Sequence, residues 1–533
     1  MRAEAPPSPF ARGTLRPRAR QALAAVPAFL RRHWLFLVVL SAGAVLRGLV
    51  LFAYRPALIR RDSMDYLENA LHLQPSEFHP LGYPLFLRLV RGNADLVAIP
   101  LAQHLLGLLI AGALYALLLR LGARPWLAAL AAAPVLLDAY QLNVEQHILS
   151  ETVFELCIVA GCVLSLWRRP LHPAAAAAAG LMFAASGLMR TIGVLLIAPA
   201  ALAALALAAP RWRARAVALV ALIGAFALPL AAYATWYRSA HGTYGLSAFG
   251  GRFLYGRVAP FADCTRFTVP KAQRPLCPTA PLDQRLGPGG YVWRSRVSPL
   301  FHVPEADRDR IGRAFARNVI LHQPLTYART VAEEFLHGFA PTRTTYWQDA
   351  PIEKWQFQLT YPLYWGDGLC SQIEHTSRKA ARVCASRQRE WDTYVAARGA
   401  PGGIATDAGL ARFLRGYQGF AYVPGPLLAA LLLAGIVATL GLVPGRARRS
   451  RSGLRAATGL LTGSALVLLI GPVALNEFSW RYEIPAFMLI APAGILAATL
   501  YGAGHGHQRE APGRRPFRPA ALLRARARGP RRR

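Results

Sequence analysis

Acidic residues are scarce in this chain. Asp and Glu together number 27 against 61 Lys and Arg, and only three of the basic residues are Lys (Lys271, Lys354 and Lys379). The formal net charge is +34, yet charged residues make up only 17% of the 533 positions and 54% are hydrophobic. Such imbalance in so apolar a chain excludes an ordinary soluble domain. It fits long apolar blocks with the charges set between them. Cysteine is sparse too. None of the six has the CxxC spacing of a zinc or thioredoxin site. No Gly-rich phosphate loop follows a strand, and Gly287-Pro288-Gly289-Gly290 reads as a turn, which disfavours a nucleotide-sugar donor. No Ser-His-Asp arrangement and no HExxH is visible.

What is present in quantity is apolar sequence in blocks. Ten spans are expected, at about 34–54, 96–119, 125–140, 148–167, 172–189, 191–209, 214–237, 420–443, 454–475 and 484–503. Most have the length a helix needs to cross roughly 30 Å of hydrocarbon. With ten spans, the segments on one side carry 29 Arg, whereas the short loops on the other side contribute only Arg190 and Arg481. The positive-inside rule then puts both termini in the cytoplasm of a multi-pass cell-membrane protein. It also accounts for most of the charge without nucleic acid. The Arg-rich tail, with Arg524, Arg526, Arg528 and Arg531 to Arg533, reads as a lipid-facing anchor.

The expected fold class is an all-α polytopic membrane protein with a large extracytoplasmic loop domain. Residues 1–33 form a disordered basic cytoplasmic N-terminus. Residues 34–237 form an N-terminal transmembrane module of about seven helices, with a first extracytoplasmic loop at 55–95. The extracytoplasmic loop domain spans 238–419, a C-terminal module of about three helices spans 420–503, and 504–533 is a basic cytoplasmic tail. No cleavable signal peptide is evident, so the first span should stay as an anchor. Cys157 and Cys162 lie in the fourth span as packing residues. Cys264, Cys277, Cys370 and Cys384 lie in the large loop, on the oxidising side, which suggests disulfides. Local pairing has the lowest closure cost and predicts Cys264 with Cys277 and Cys370 with Cys384.

The first loop is the most informative stretch. Met64, Leu67 and Leu71 repeat at helical spacing, so 62–73 is expected to be an amphipathic helix at the outer interface. Asp62 stands at its start. A structural reading makes it the N-cap, paired weakly with Arg60 and Arg61. In the large loop, Ile311, Phe315 and Val319 predict a helix over 305–322, and Phe335 and Phe339 share a face of another over 325–339. Tyr346, Trp347, Trp355, Tyr361, Tyr364 and Trp365 crowd a Pro-rich stretch, more as core or interface residues than as a sugar platform.

An Asp just after the first span, Tyr66 four residues later, and then His79-Pro80-Leu81-Gly82-Tyr83-Pro84-Leu85-Phe86 resemble the polytopic GT-C glycosyltransferases. These include the protein O-mannosyltransferases and the bacterial aminoarabinose transferases of lipid A. Further along, Pro134 with Ser150-Glu151, Leu188-Met189-Arg190-Thr191, His322-Gln323-Pro324-Leu325-Thr326-Tyr327, and Arg481-Tyr482 with Pro485 carry the same resemblance in order. Two departures place the chain in a divergent branch. The next acid after Asp62 is Asp65 rather than an immediate neighbour, and Leu81 stands where the family repeats Pro.

The resemblance implies transfer of a single sugar from a polyprenyl-phosphate carrier to an acceptor hydroxyl, outside the membrane, without a divalent metal. A base and a phosphate clamp are then required. Asp62 is the expected base, made more basic by burial, with Asp65 as its backup. Arg190 and Arg481, at outer helix ends, are the expected clamp on the lipid phosphate, against the alternative of snorkelling to headgroups. His79 and Tyr66 join the donor side. Glu151 and Asp138 form a secondary acidic set, and no metal ligands are assigned. The partners implied are membrane lipid, the lipid-linked sugar donor, and an acceptor that the sequence leaves open among protein, lipid and glycan. The competing reading is a secondary transporter or lipid flippase, which would show internal repeats and broken helices. A third is a non-catalytic envelope scaffold. Convergence of Asp62, Glu151, Arg190 and Arg481 on one outward cavity separates these readings.

Overall fold

The computed structural model describes residues 17–92, 94–294, 298–346, 351–360, 382, 386, 389–390, 392–399, 404–442 and 452–502, with side chains between 27 and 500. Helices dominate. The first half of the chain contains α1 (Pro17–Ala53), α2 (Arg61–Leu71), α3 (Gly82–Leu89), α4 (Ala98–Arg120), α5 (Pro125–Leu137), α6 (Ala139–Gln146), α7 (Glu151–Leu166), α8 (Pro173–Met189), α9 (Ile197–Leu207) and α10 (Trp212–His241). The large loop adds α11 (Gly250–Val258), α12 (Pro288–Trp293), α13 (Arg308–His322), α14 (Pro324–His337) and α15 (Ala408–Gln418). The chain returns through α16 (Gly425–Leu440), α17 (Ser452–Leu475) and α18 (Trp480–Gly502).

A helix stands at each of the ten expected places, but they are not ten equal spans. Five are long and apolar enough to cross a membrane: Pro27–Ala53, Ala98–Arg120, Trp212–His241, Ser452–Leu475 and Trp480–Leu500. The expected third span is instead a bent pair, α5 and α6, meeting at 47°. Asp138 causes the break. Its carboxylate accepts the Tyr140 N–H at 2.9 Å and starts a new helix where the old one ends. Pro173–Met189, Thr191–Leu207 and Gly425–Leu440 are shorter apolar helices. The bundle packs α8 against α7 and α10, α17 against α9 and α18, and α1 and α4 against α5. Leu114, Phe154, Phe183, Leu461 and Phe487 are among its buried core residues. Cys157 and Cys162 are buried and free, as packing residues should be.

On one side of the bundle the first loop and the large loop join. The strand pair is minimal: Tyr54 and Arg55 (β1) run antiparallel to Thr406 and Ala405 (β2). A second apolar core forms there from Met64, Tyr66, Leu67, Tyr83, Trp355 and Trp480, so α2 is covered by protein. Gly82 explains the turn after His79. A β-carbon there would lie 2.6 Å from the Leu188 carbonyl oxygen, so only glycine lets α3 seat against the end of α8. The large loop has a small core of its own around Tyr255, Leu276, Phe315 and Val319. The Cys264–Cys277 disulfide staples it, with an S–S distance of 2.09 Å. Cys370 and Cys384 lie outside the described residues, as do Trp347, Tyr361, Tyr364 and Trp365. Helix α13 buries Ile311, Phe315 and Val319, and the Phe335 and Phe339 rings lie 5.3 Å apart, as the spacing predicts.

Candidate functional site

Four helix ends meet beneath α2. Asp62 comes from the first turn of α2, Glu151 begins α7, Arg190 ends α8, and Arg481 lies in the first turn of α18. They form one chain of ion pairs. Arg481 Nη1 donates to Asp62 Oδ2 at 2.7 Å, and its Nε donates to Glu151 Oε1. Arg190 Nη1 donates to the same Glu151 oxygen. Two cations face two anions. Glu151 is closed off at 0% side-chain exposure, whereas Asp62 at 22% and Arg190 at 19% can be reached from outside. Tyr482 lies beneath both guanidinium groups, 4.9 Å from Arg190 and 5.7 Å from Arg481. Four residues scattered through the sequence, from position 62 to position 481, therefore converge.

Asp62 is not the N-cap of α2. That place belongs to Arg60, whose backbone N–H is accepted by Ser63 Oγ at 2.8 Å. The carboxylate is spent on Arg481 instead. Its acidity also runs opposite to expectation. Burial pushes the Asp62 carboxyl up, but Arg481, His79 and Arg190 together hold it down, to about 2. A carboxylate clamped in this way is a weak base until the clamp moves.

The other expected site residues divide. Asp65 faces away from the arginines, accepting from Ser76 Oγ at 3.2 Å and pairing with His79 Nδ1 at 2.7 Å. The Tyr66 ring lies 4.4 Å from His79, and its hydroxyl meets Ser150 Oγ at 3.0 Å, one residue before Glu151. Burial pushes its phenol well up, reinforced by Asp62 and Glu151, so it stays a neutral donor or acceptor. Asp138 is not part of the cluster. It pairs with Arg343 at 2.8 Å, deep among Tyr140, Tyr422, Trp480 and Phe487. Its role as an outward acid gives way to that of a helix cap and buried ion-pair partner. Among the described residues no group of three or more His, Cys, Asp or Glu could hold a metal ion.

Several polar residues escaped the sequence reading. Arg47 sits in the last third of α1 and pairs with Glu145 at 2.7 Å; His104 Nδ1 meets the other Glu145 oxygen at 2.8 Å. Gln141 Nε2 bridges Glu145 and Glu155, at 3.0 and 2.8 Å. An Arg in the middle of an apolar run was the visible signal, because such a charge is placed there only with a partner. His147, just before α7, accepts from Arg60 Nε at 3.2 Å. Burial, then Arg60, holds its imidazole well below the usual value and so neutral.

No family model and no curated protein matches the chain. Among solved structures, the apo crystal structure of the Archaeoglobus fulgidus oligosaccharyltransferase aligns with 89% of this chain at 13% identity and a TM-score of 0.40. The aligned region spans about half, 51%, of that protein's length.

Proposed function

We propose that this protein is a membrane glycosyltransferase that moves a single sugar from a polyprenyl-phosphate carrier to an acceptor hydroxyl. The observation that carries the reading is the way two arginines share one carboxylate oxygen. Arg190 spends one nitrogen on Glu151, and Arg481 spends two on Glu151 and Asp62. The remaining guanidinium N–H groups, on Arg190 Nε and Nη2 and Arg481 Nη2, make no hydrogen bond among the described residues. Planar donors left over at a partly exposed, charge-balanced cluster suit a phosphate diester. Snorkelling would leave these arginines reaching for headgroups, not paired with acids at helix ends.

In the proposed reaction the acceptor oxygen attacks the anomeric carbon. The bond from that carbon to the phosphate oxygen breaks, and inversion follows from the single displacement. The leaving phosphate gains one negative charge, which Arg190 and Arg481 stabilise. The acceptor proton passes to Asp62. Turning Arg481 toward phosphate removes the main influence that keeps Asp62 weakly basic, so donor arrival prepares the base. Asp65 with His79 and Tyr66 holds the wall beside it. We place this side outside the cell membrane, with both termini in the cytoplasm, on the distribution of Arg between segments. The donor is a substrate, and the reading assigns no metal.

The bend between α5 and α6 and the buried Arg47–Glu145 pair favour a second reading, a transporter, in which broken helices and charges line a path. Purified protein reconstituted in sealed vesicles, given polyprenyl-phosphate sugars and acceptor-rich membrane extract, distinguishes the two. Transfer is expected to release polyprenyl phosphate, read by lipid mass spectrometry. Movement of intact lipid-linked sugar across vesicles without cleavage would instead establish the transporter.

A further inference from the structure

Beside the ion cluster lie two buried polar atoms that find no hydrogen-bond partner among the described residues. One is a donor, the indole Nε1 of Trp355; the other is an acceptor, Glu151 Oε2. Trp355 belongs to the large loop and is 7% exposed, and Glu151 is fully buried. The Trp355 ring lies 5.3 Å from the guanidinium carbon of Arg481 and 5.3 Å from that of Arg60. Arg60 caps the helix that carries Asp62. The backbone of Trp355 is pinned from the other side. Gln418 Nε2 donates to its carbonyl at 3.0 Å, and Gln418 Oε1 accepts the Phe357 N–H at 2.7 Å. A tryptophan held this firmly, with its N–H buried and unspent, is costly unless something supplies an oxygen. Tyr54 and Trp480, elsewhere in the loop-side cores, do have partners for their polar atoms, the carbonyls of Gln358 and Thr344, at 2.8 and 2.9 Å.

We propose that Trp355 is the large loop's contribution to the donor site: its ring positions Arg481, and its indole N–H donates to an oxygen of the lipid-linked sugar phosphate. The inference rests on the functional reading above. Its ligand must offer both an acceptor oxygen to Trp355 and a hydroxyl to Glu151 Oε2. A sugar phosphate carries both kinds of group; a bare lipid phosphate carries only the first. The large loop then does more than cover the site, because seating it brings a ligand-binding side chain against the arginine.

The test uses full-length protein in nanodiscs, with polyprenyl phosphate as the probe and, separately, a polyprenyl-phosphate sugar. Trp355→Phe keeps a ring over Arg481 and loses the N–H. It is expected to weaken binding of both lipids roughly tenfold, as loss of a hydrogen bond to a charged group does. Its kcat should change less than its KM. Trp355→Ala, which also frees Arg481, is expected to lower kcat as well. A tryptophan N–H vibrational band that disappears in Trp355→Phe should shift in wild-type protein when polyprenyl phosphate is added. Wild-type affinity in Trp355→Phe, or an unshifted band, would overturn the assignment while leaving the transferase reading standing. No binding of either lipid by wild-type protein would overturn both.

Discussion

Two arginine–carboxylate networks meet at α7, through Glu155 and Glu151, and are built to opposite ends. In the inner one, Arg47 spends Nη1 on the Gly43 and Leu136 carbonyls and Nη2 on the Val135 carbonyl and Glu145. Both Glu145 oxygens are taken, by Arg47, Gln141 and His104. Nothing more fits. A β-carbon at Gly107 would lie 2.3 Å from Glu145 Oε1, so the glycine exists to admit the pair. In the outer network, among the described residues, the arginines keep N–H groups in reserve and one glutamate oxygen has no partner, and Asp62 and Arg190 are partly exposed. A closed network specifies packing. An open one, at the meeting of four helix ends, has capacity for a ligand. Neither buried charge nor an unpartnered buried atom therefore marks a site; unspent hydrogen-bonding capacity beside groups that can be reached from outside does.

Breaking each network in turn gives the largest effects. Asp62→Asn should lower sugar transfer by roughly 10²- to 10⁴-fold, the usual contribution of a general base. Its abundance in the membrane should stay near wild type, because Asp62 caps nothing and Arg60 keeps the helix start. Arg47→Ala should do the reverse. It strands Glu145 without its cation, which typically costs about 3–5 kcal/mol. Detergent-extracted protein should then fall sharply in yield and thermal stability, with turnover per folded molecule unchanged. Quantitative blotting together with a transfer assay reads both. If the two variants behave alike, the distinction between open and closed networks is wrong.

A smaller effect sharpens the comparison within the outer network. Arg481→Lys retains the charge and loses the fork that lets one side chain hold Asp62, Glu151 and an incoming phosphate. Donor KM should rise roughly tenfold, with acceptor KM little changed. Lipid-donor saturation kinetics check this. Unaltered saturation would return Arg481 to a structural role beside Glu151.

Much of this was legible in the sequence. Apolar runs mark where helices lie, because the period and length of apolar residues reflect burial directly. The spacing of Met64 and Leu67 predicts α2, and the closeness of Cys264 to Cys277 predicts their bridge. The four charged residues of the outer cluster could be named from their places at helix ends. Their pairing could not, since residues 62 and 481 are joined only by tertiary packing. That is why Asp62 reads as a cap with raised basicity in the sequence and as an ion-paired, weakly basic group in the structure. Asp138 misleads for a related reason: an acid at a helix end and an acid that breaks a helix look the same in one dimension. Trp355 was one aromatic among six. What draws attention to it, an indole N–H with no partner among the described residues and a ring against Arg481, is a property of its surroundings.

The smallest predicted effect concerns an acid that belongs to neither network. Glu477 lies in the turn between α17 and α18, four residues before Arg481. Burial pushes its carboxyl up, to about 7; the Gly289 N–H that it accepts opposes the rise, and Glu334 adds to it. Lys354 and Arg257 also face it and pull the other way, and Arg257 is already paired with Glu334 at 2.5 Å. The sign follows from linkage. A carboxyl whose folded value exceeds its unfolded value contributes stability that is full below the unfolded value, near 4.5, and is lost as pH rises through about 7. Wild-type protein should therefore lose thermal stability between about pH 5 and pH 8. Glu477→Gln cannot ionise and should show a flatter profile, the difference amounting to roughly 3 kcal/mol at most. Glu334 remains in both proteins, so subtracting the two profiles isolates Glu477. Melting curves of wild-type and variant protein across that range make the measurement. Parallel curves would mean that the Glu477 carboxylate is already ionised at its seat against Gly289, and that the outer network sits beside a fixed negative charge instead of a titrating one.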